Sequence, residues 1–270
     1  MGWAQLLSLS IIQGLTEFLP ISSSAHEILL PYAFGWPHQG VGFDMATNLG
    51  TLAAVLIYFR RDVAHMLLAG WQAVFSGRRD LEARLAWGIV LASLPVLIIG
   101  FVIGVTVGEK VLRLPWLIAV ASIVFGLLLG VIDRRAPGDL GIESLRARDY
   151  LVIGLAQAVA LIPGSSRSGM SMLGGRALRL DRRTAARVAF FMAIPVTAAA
   201  IAFELLKISQ ATHHYAWSTL GLAALFSWIT AMLAIDVFMR LIQAVGMMPF
   251  VIYRVLLGAV ILSVMAFGGW

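Results

Sequence analysis

Two serine-rich segments interrupt otherwise apolar sequence, and both carry charged side chains. The first covers residues 17–26 (EFLPISSSAH) and the second covers residues 163–169 (PGSSRSG). In each segment a proline followed by small hydroxyl residues is expected to end one helical stretch and to cap the next. The backbone N–H groups at the start of the second helix are then free to face an anion. The two segments are therefore predicted to form two halves of one anion-binding site.

Arg167 is suited to binding phosphate, because its planar guanidinium matches the spacing of phosphate oxygens. The hydroxyls of Ser165, Ser166 and Ser168 add hydrogen-bond donors beside the free helix N–H groups. The alternative is that Arg167 pairs with a carboxylate, such as Glu17, and only holds the chain together. The surrounding hydroxyls and glycines favour phosphate binding, since an ion pair requires none of them.

The first segment carries groups that could move protons, attack phosphorus or bind a metal ion. Glu17 could act as a general base or as an oxygen ligand for Mg²⁺ or Ca²⁺. His26 can exchange a proton near neutral pH, although an isolated histidine is more often structural. Among Ser22, Ser23 and Ser24, one is expected to cap the following helix, and another could act as a nucleophile or bind phosphate.

The composition indicates an integral membrane protein. Of the 270 residues, 60% are hydrophobic and 13% are charged, whereas a soluble domain is about 45–50% apolar. The mean hydropathy is +0.90. Runs such as residues 85–107 are long enough as helices to cross about 30 Å of hydrocarbon. Cysteine is absent, which excludes disulfides and thiolate chemistry.

The apolar stretches predict an all-α polytopic fold that contains full-length transmembrane helices and shorter, re-entrant helices. Five stretches have the length of a full crossing: 85–107, 114–132, 185–206, 217–239 and 247–267. Short apolar helices at membrane depth are expected to be re-entrant, since protein must cover their backbone ends. Stretches broken by proline, glycine or charge are 2–19, 25–34, 44–59, 150–162 and 168–178.

The order of features suggests an internal repeat. A charged segment, residues 133–149, divides the chain nearly in half and is interpreted as a linker. On either side follow a glutamine (Gln13 or Gln157), a proline, a serine pair, a short helix and a longer one. We therefore predict one transmembrane domain, 1–270, built of two inverted repeats, about 1–132 and 150–270. Such proteins place their sites at the repeat interface.

The net charge of +6 does not indicate nucleic-acid binding, because the basic residues fall in pairs between apolar spans. Such pairs are typical of cytoplasmic loops, and we expect Arg60 and Arg61, Arg78 and Arg79, and residues 176–187 to share the cytoplasmic side. The pairs are Arg60 and Arg61, Arg78 and Arg79, Arg134 and Arg135, and Arg182 and Arg183.

Two further carboxylates, Glu204 and Asp236, lie within apolar spans, where ionisable residues are costly. Both lie near the ends of their spans, so we expect them to reach the membrane interface. The amphipathic residues 63–75 are expected to lie in the plane of that interface, with a tilted short span as the alternative.

The two serine-rich segments, in this order and at this separation, closely resemble the bacterial undecaprenyl-diphosphate phosphatase family associated with bacitracin resistance. The similarity runs essentially end to end and includes residues 43–55 (FDMATNLGTLAAV) and 249–254 (PFVIYR). It implies a multi-pass protein of the bacterial inner membrane. The implied activity converts undecaprenyl diphosphate to the monophosphate, with a divalent metal such as Mg²⁺ or Ca²⁺, and recycles the lipid carrier of cell-wall synthesis.

The resemblance also implies roles for individual residues. Gln13 and Glu17 occupy the family's (E/Q)xxxE pair, and Glu17 would be the metal ligand. Ser23 and His26 fall in the region of the proposed nucleophile and acid–base group, and Arg167 is the phosphate-binding arginine. The substrate-binding candidates, from the residues and the resemblance together, are Gln13, Ser22, Ser24, Ser165, Ser166, Ser168 and Ser171.

Three positions depart from the common family pattern. Gln13 replaces the glutamate of some members, so Glu17 would carry the metal or proton work largely alone. Ala25 replaces a glycine before His26. Glu27 replaces an apolar residue and adds a carboxylate beside that histidine.

A different function class fits the same pattern. Inverted repeats with broken helices also build transporters, so a lipid-phosphate or anion transporter is the alternative to an enzyme. A structural scaffold would leave the charged residues within the membrane without a reason. The expected partners are a polyprenyl diphosphate lipid and membrane lipids, with no nucleic acid, and a homodimer is left open.

Overall fold

The computed structural model describes residues 1–77, 80–106, 114–208 and 216–267. Within these residues the chain forms α-helices and two 3-10 helices but no strand, which confirms the predicted all-α class. The 3-10 helices are Ile142–Ser144 and Val159–Leu161. The α-helices are α1 (Trp3–Glu17), α2 (Ser23–Phe34), α3 (Val41–Tyr58), α4 (Arg60–Ser76), α5 (Leu81–Thr106), α6 (Pro115–Arg135), α7 (Ala147–Ala158), α8 (Arg167–Ala177), α9 (Arg182–Ile208), α10 (Trp217–Val245) and α11 (Met248–Ala266).

Six of the described helices, α3, α5, α6, α9, α10 and α11, are long and apolar enough to cross a membrane. Five of them correspond to the stretches predicted as full crossings, and they confirm a polytopic membrane protein. Val107, at the end of the first of those stretches, lies outside the described residues, as do Arg78 and Arg79.

Helix α3 corrects the sequence analysis, which placed residues 44–59 among the broken stretches. The helix runs without interruption for 18 residues. Its hydroxyl side chains bond to the helix's own backbone: Thr47 Oγ1 donates to the Asp44 carbonyl at 3.0 Å, and Thr51 Oγ1 donates to the Asn48 carbonyl at 2.9 Å. Polar residues that are satisfied in this way do not interrupt a helix inside a protein interior.

Two short helices follow the serine-rich segments. Helix α2 has 12 residues and α8 has 11, so each extends less than about 20 Å and cannot cross about 30 Å of hydrocarbon alone. Helix α1 ends at Glu17, the first residue of the first segment. Helix α7 and the 3-10 turn Val159–Leu161 precede the second. That these two helices are re-entrant stays a prediction.

Small residues let the helices that carry the site approach closely. Helix α10 packs against both α1 and α3. A Cβ at Gly14 of α1 would lie 1.9 Å from Thr230 Oγ1, and one at Gly50 of α3 would lie 2.3 Å from the Ala224 carbonyl oxygen. Such contacts replace the hydrophobic effect as the source of helix association in lipid. Beneath the end of α1, the rings of Phe18 and Phe190 meet edge to face at 5.2 Å.

The segment interpreted as a linker is folded onto the second half of the chain. The buried Asp133 binds the Arg176 Nε at 2.7 Å and the Arg182 Nη2 at 2.9 Å. Leu140 forms a parallel bridge with Leu180. The segment therefore anchors the far end of α8 through Asp133 and Leu140, while many of its other side chains are exposed. Its place as the boundary between two repeats stays a prediction.

Two of the basic segments lie at the same end of the molecule. Arg187 in α9 pairs with Asp62 in α4 at 3.0 Å, and Asp62 directly follows Arg60 and Arg61. This contact agrees with the expectation that these segments share one membrane face. Helix α4 covers the predicted amphipathic stretch and exposes Leu67, Leu68, Trp71, Val74 and Phe75.

Candidate active site

The two serine-rich segments form turns of similar geometry. Ser22 caps α2 and Ser166 caps α8, with backbone φ values of 71° and 75°. Each hydroxyl accepts a hydrogen bond from the backbone N–H three residues later, Ala25 at 3.4 Å and Gly169 at 3.1 Å. A positive φ in a residue other than glycine is strained and is typical of functional turns. Both helix N-termini are thereby held in place.

Arg167 and Glu17 join the two turns. The Arg167 Nη2 donates to the Glu17 Oε1 in a close ion pair, and Nη1 lies 3.4 Å from Thr197 Oγ1. The Ser168 hydroxyl adds a second link by donating to the Leu19 carbonyl at 2.8 Å. The ion pair considered as an alternative from the sequence therefore exists. It does not exclude anion binding, because 29% of the Arg167 side chain is exposed.

Glu17 is the centre of a buried hydrogen-bond network, with its side chain 5% exposed. The Ser23 hydroxyl donates to Oε2 at 2.6 Å, and the Gln13 Nε2 donates to the same oxygen at 3.1 Å. The Gln13 amide also donates to Asn48 Oδ1 at 3.1 Å. The network gives Ser23 a carboxylate that can accept its proton.

A polar cavity of about 260 Å³ lies between the two turns. It brings together groups from α1, α2, α3 and the second turn, so the predicted meeting of the two segments is observed. Both signs of charge are present, because Arg167 faces several carboxylates. The cavity is lined by Gln13, Glu17, Ser22, Ser23, Ser24, Glu27, Asn48, Ala160, Ser166, Arg167, Ala200 and Glu204.

An apolar groove of about 550 Å³ adjoins this cavity. Its walls come from α5, α9 and the 3-10 turn Val159–Leu161, with side chains such as Leu97, Phe101 and Phe203. Arg167, Ala160 and Ala200 line both the groove and the polar cavity. A molecule with a charged head and a long apolar chain could therefore occupy both at once.

His26 does not line the polar cavity. Its Nδ1 donates to the Ser22 carbonyl at 2.7 Å, and its Nε2 lies 2.6 Å from the Tyr253 hydroxyl. The two rings also stack, with their centroids 5.7 Å apart. A neutral imidazole satisfies both bonds if Tyr253 donates to Nε2. The structure thus places Ser23 beside Glu17 and gives His26 a contact with the turn backbone instead.

Three serines predicted to bind substrate point into the protein. The Ser165 hydroxyl donates to the Ile162 carbonyl at 2.5 Å, and the Ser171 hydroxyl donates to Gln157 Oε1 at 2.8 Å. Ser168 is occupied by the Leu19 carbonyl and is also outside the polar cavity. These hydroxyls satisfy buried oxygens around the second turn, which stabilises its shape and removes them from direct contact with the cavity.

Sequence reasoning set aside or missed several residues of the site. Glu204 was expected at the membrane interface but lines the polar cavity, whereas Asp236 pairs with Arg240 at 2.9 Å. Asn48 was missed because it lies in an apolar stretch. The signal that could have identified it was an amide side chain within that stretch. No sequence pattern indicated that Tyr253 would contact His26, since that contact depends on how α11 packs.

The described residues do not form a cluster of three or more histidine, aspartate or glutamate side chains that could hold a metal ion. The oxygen groups that line the polar cavity include the carboxylates of Glu17, Glu27 and Glu204 and the amide oxygens of Gln13 and Asn48. The Gln13 Oε1 is buried and has no hydrogen-bond partner among the described residues. Such an oxygen is a suitable ligand for a hard cation that also binds substrate oxygens and water.

Comparison with known proteins agrees with the resemblance noted in the sequence. The family described as "Bacitracin resistance protein BacA" matches residues 6–260. A protein named undecaprenyl-diphosphatase from Hahella chejuensis is 45% identical over 96% of this chain and 97% of its own length. One from Nitrosococcus oceani is also 45% identical, over 97% and 98%. The chain therefore belongs to the bacitracin resistance protein BacA family.

Proposed function

We propose that this protein is an integral membrane phosphatase that hydrolyses undecaprenyl diphosphate to undecaprenyl phosphate and inorganic phosphate. The observation that carries the proposal is the junction of a polar cavity and an apolar groove at Arg167. The curated relatives support it, because their names state this activity. The reaction would return the lipid carrier to cell-wall synthesis and counteract bacitracin.

The substrate would lie with its diphosphate in the polar cavity and its first isoprene units in the apolar groove. The walls of the groove are almost entirely apolar. Prenyl carbons that move from the lipid into the groove therefore remain in an apolar environment, away from water. The bacterial inner membrane is the location that fits such a substrate and the bacterial relatives. Assembly as a homodimer stays a prediction from the sequence.

Arg167 would bind the phosphate oxygens with its guanidinium fork. In the structure this guanidinium pairs with Glu17. A diphosphate can replace one carboxylate oxygen at the fork and accept further bonds from backbone N–H groups at the start of α2 and α8. Binding of the substrate would then release Glu17 from its cationic partner.

The released Glu17 would act as the general base. It already accepts the Ser23 hydroxyl at 2.6 Å, so the proton can pass from Ser23 Oγ to Glu17 Oε2. The Ser23 oxygen would attack the terminal phosphorus, and the bond from that phosphorus to the bridging oxygen would break. Undecaprenyl phosphate leaves, and water then cleaves the phosphoserine to release inorganic phosphate and restore the hydroxyl.

A divalent cation, Mg²⁺ or Ca²⁺, is proposed as a cofactor. Glu17 and the buried Gln13 Oε1 would hold it, together with the substrate's own phosphate oxygens. When bound, the ion would neutralise charge on the diphosphate. Removal of divalent ions with a chelator should lower phosphate release, and addition of Mg²⁺ or Ca²⁺ should restore it. Unchanged release in the chelator would contradict a divalent cofactor.

The inverted repeat predicted from the sequence remains part of this proposal. The matching caps at Ser22 and Ser166 support it, as do the equivalent positions of Gln13 and Gln157 before the two turns. Each repeat would contribute one turn. The first would supply the carboxylate and the nucleophile, and the second would supply the guanidinium.

The test is phosphate release from undecaprenyl diphosphate by the purified protein in detergent. We expect the unmodified protein to release phosphate, and Glu17→Gln and Arg167→Ala each to lose about 100-fold or more of this activity. The matched control is Asp236→Asn, which changes a carboxylate in the membrane outside the cavity and should leave the rate unchanged. Full activity of either cavity variant would contradict the assignment of the site.

A second measurement separates the enzyme from a transporter. The protein would be placed in sealed proteoliposomes, and both release of phosphate and transfer of the lipid across the bilayer would be followed. Release of phosphate without a requirement for transfer supports the phosphatase. Transfer of intact undecaprenyl diphosphate with no phosphate released would contradict it.

A further inference from the structure

Arg254 lies in the middle of α11 and is completely buried, with 0% of the residue exposed. Its Nε donates to the Ser122 carbonyl of α6 at 3.2 Å, and its Nη2 donates to the Gly164 carbonyl at 2.9 Å. Gly164 belongs to the turn that carries Arg167. One side chain thus ties two membrane-spanning helices to the second serine turn.

The packing around Gly164 leaves no space for a side chain at this position of the turn. Gly164 has a φ of 95°, which favours glycine, and a Cβ there would lie 2.4 Å from the Ile118 carbonyl oxygen of α6. A Cβ at Gly169, in the first turn of α8, would lie 3.1 Å from the Arg254 Nη1. The guanidinium therefore contacts both the start of the turn and the beginning of α8.

Arg254 carries a charge without an ion-pair partner in the described part of the chain. Its contacts there are backbone carbonyls, and its Nη1 has no hydrogen-bond partner among the described residues. The nearby N-terminus of α8 adds partial positive charge. Two positive groups so close together are unfavourable in a low-dielectric interior unless an anion binds in front of them.

We propose that Arg254 is a positioning residue of the phosphatase: it fixes the Gly164 carbonyl so that Arg167 and the α8 N-terminus face the substrate diphosphate. The inference rests on the proposed function. Arg254 would not touch the substrate, because it does not line the polar cavity. Arg254 would act by fixing the 163–169 turn and by adding positive potential behind that turn.

If Arg254 had a purely structural role, its replacement would lower the melting temperature and leave the kinetic constants per folded protein unchanged. A buried charge without a partner is costly, and apolar residues of similar volume often replace buried charges at little loss of stability. Arg254→Met should therefore keep a folded protein while losing the positioning of the turn. A displacement of about 1 Å at a catalytic group can cost about 100-fold in rate.

The experiment compares Arg254→Met and Arg254→Lys with the unmodified protein in detergent, with kinetic constants expressed per folded monodisperse protein. For Arg254→Met we expect kcat/KM to fall about 100-fold, with KM raised and kcat lowered, and faster amide hydrogen exchange in residues 163–170. Arg254→Lys should recover part of the loss, because an ammonium can still donate to the Gly164 carbonyl. The control is Ser122→Ala, which removes a hydroxyl that donates to the Arg254 carbonyl at 3.3 Å and keeps the guanidinium contacts.

The outcomes separate this inference from the proposed function. Wild-type kinetics in Arg254→Met, or a loss of melting temperature with unchanged kinetics per folded protein, would overturn the positioning role. If Arg254→Met does not fold, the lysine variant decides: partial activity together with faster exchange in the turn supports the role, and unchanged kinetics, or partial activity with normal exchange in the turn, overturn it. An unmodified protein that releases no phosphate would contradict the phosphatase, while exchange in the turn would still report whether Arg254 holds it.

Discussion

Arg167 pairs with Glu17 although the two residues come from different serine turns. The pair brings the proposed general base and the proposed phosphate-binding group into contact. In the proposed mechanism an arriving diphosphate would compete with Glu17 for the guanidinium, so substrate binding would also release the base. The two residues should therefore affect different kinetic constants when each is changed conservatively.

The first prediction concerns Arg167→Lys, which keeps the charge and removes the fork. We expect KM for undecaprenyl diphosphate to rise about 10-fold or more, because a hydrogen bond to a charged group is worth about 1.5–3 kcal/mol. Steady-state kinetics in detergent measure this change. Arg240→Lys is the matched control, since Arg240 pairs with Asp236 and is 74% exposed. An unchanged KM in Arg167→Lys would mean that the fork does not bind phosphate.

The second prediction distinguishes the serines of the first turn. Ser23→Ala should lower kcat about 100-fold or more, because it removes the hydroxyl that donates to Glu17. Ser24→Ala should have a much smaller effect, since the Ser24 hydroxyl contacts only Ser22 among the described hydrogen bonds, at 3.2 Å. Acid quenching followed by peptide mass spectrometry should detect phosphate on Ser23. If Ser23→Ala keeps its rate, water and not Ser23 attacks phosphorus.

The third prediction concerns His26, whose ring nitrogens bond to the Ser22 carbonyl and the Tyr253 hydroxyl. If His26 acts by holding the turn, His26→Asn should keep most of the activity, because its amide can still donate to the Ser22 carbonyl. His26→Ala should lose far more. The comparison uses phosphate release at several pH values. Equal loss in both variants, with a changed pH profile in His26→Asn, would instead indicate that His26 transfers a proton.

The general features of the fold could be predicted from the sequence because they depend on local properties. The length of an apolar stretch decides whether a helix can cross the membrane, and α9 and α10 were predicted close to their observed starts. A proline followed by serines predicts a cap, and both turns have one, at Ser22 and Ser166. The pairing of Glu17 with Arg167 was also considered from the sequence, because opposite charges within apolar sequence attract each other.

Other features depend on how distant helices pack and leave no local signal. Whether a serine hydroxyl faces the cavity depends on the nearest buried carbonyl, which for Ser165 is that of Ile162. Glu204 reaches the cavity because α9 lies beside it, not because of its position in the span. Asp133 is buried because two arginines converge on it, whereas the composition of residues 133–149 suggested solvent exposure.

The fourth prediction tests that buried network. The Asp133 side chain is 1% exposed and binds both Arg176 and Arg182. Asp133→Asn leaves two guanidinium groups without their counter-ion, and breaking a buried pair costs about 3–5 kcal/mol. We expect a marked fall in the melting temperature in detergent, measured by loss of the monodisperse peak after heating. Since Arg176 ends α8, the fraction that stays folded should also show faster hydrogen exchange in that helix.

The matched control is Asp139→Asn, six residues further along the same segment. Asp139 pairs with Arg179 at 2.6 Å, but both side chains are more than half exposed. The Arg179 hydrogen bond lowers the pKa of the Asp139 carboxyl. Solvent screens an exposed pair, and the melting temperature should therefore stay at the unmodified value. Equal melting temperatures for Asp133→Asn and Asp139→Asn would show that burial of Asp133 does not stabilise the anchor of α8.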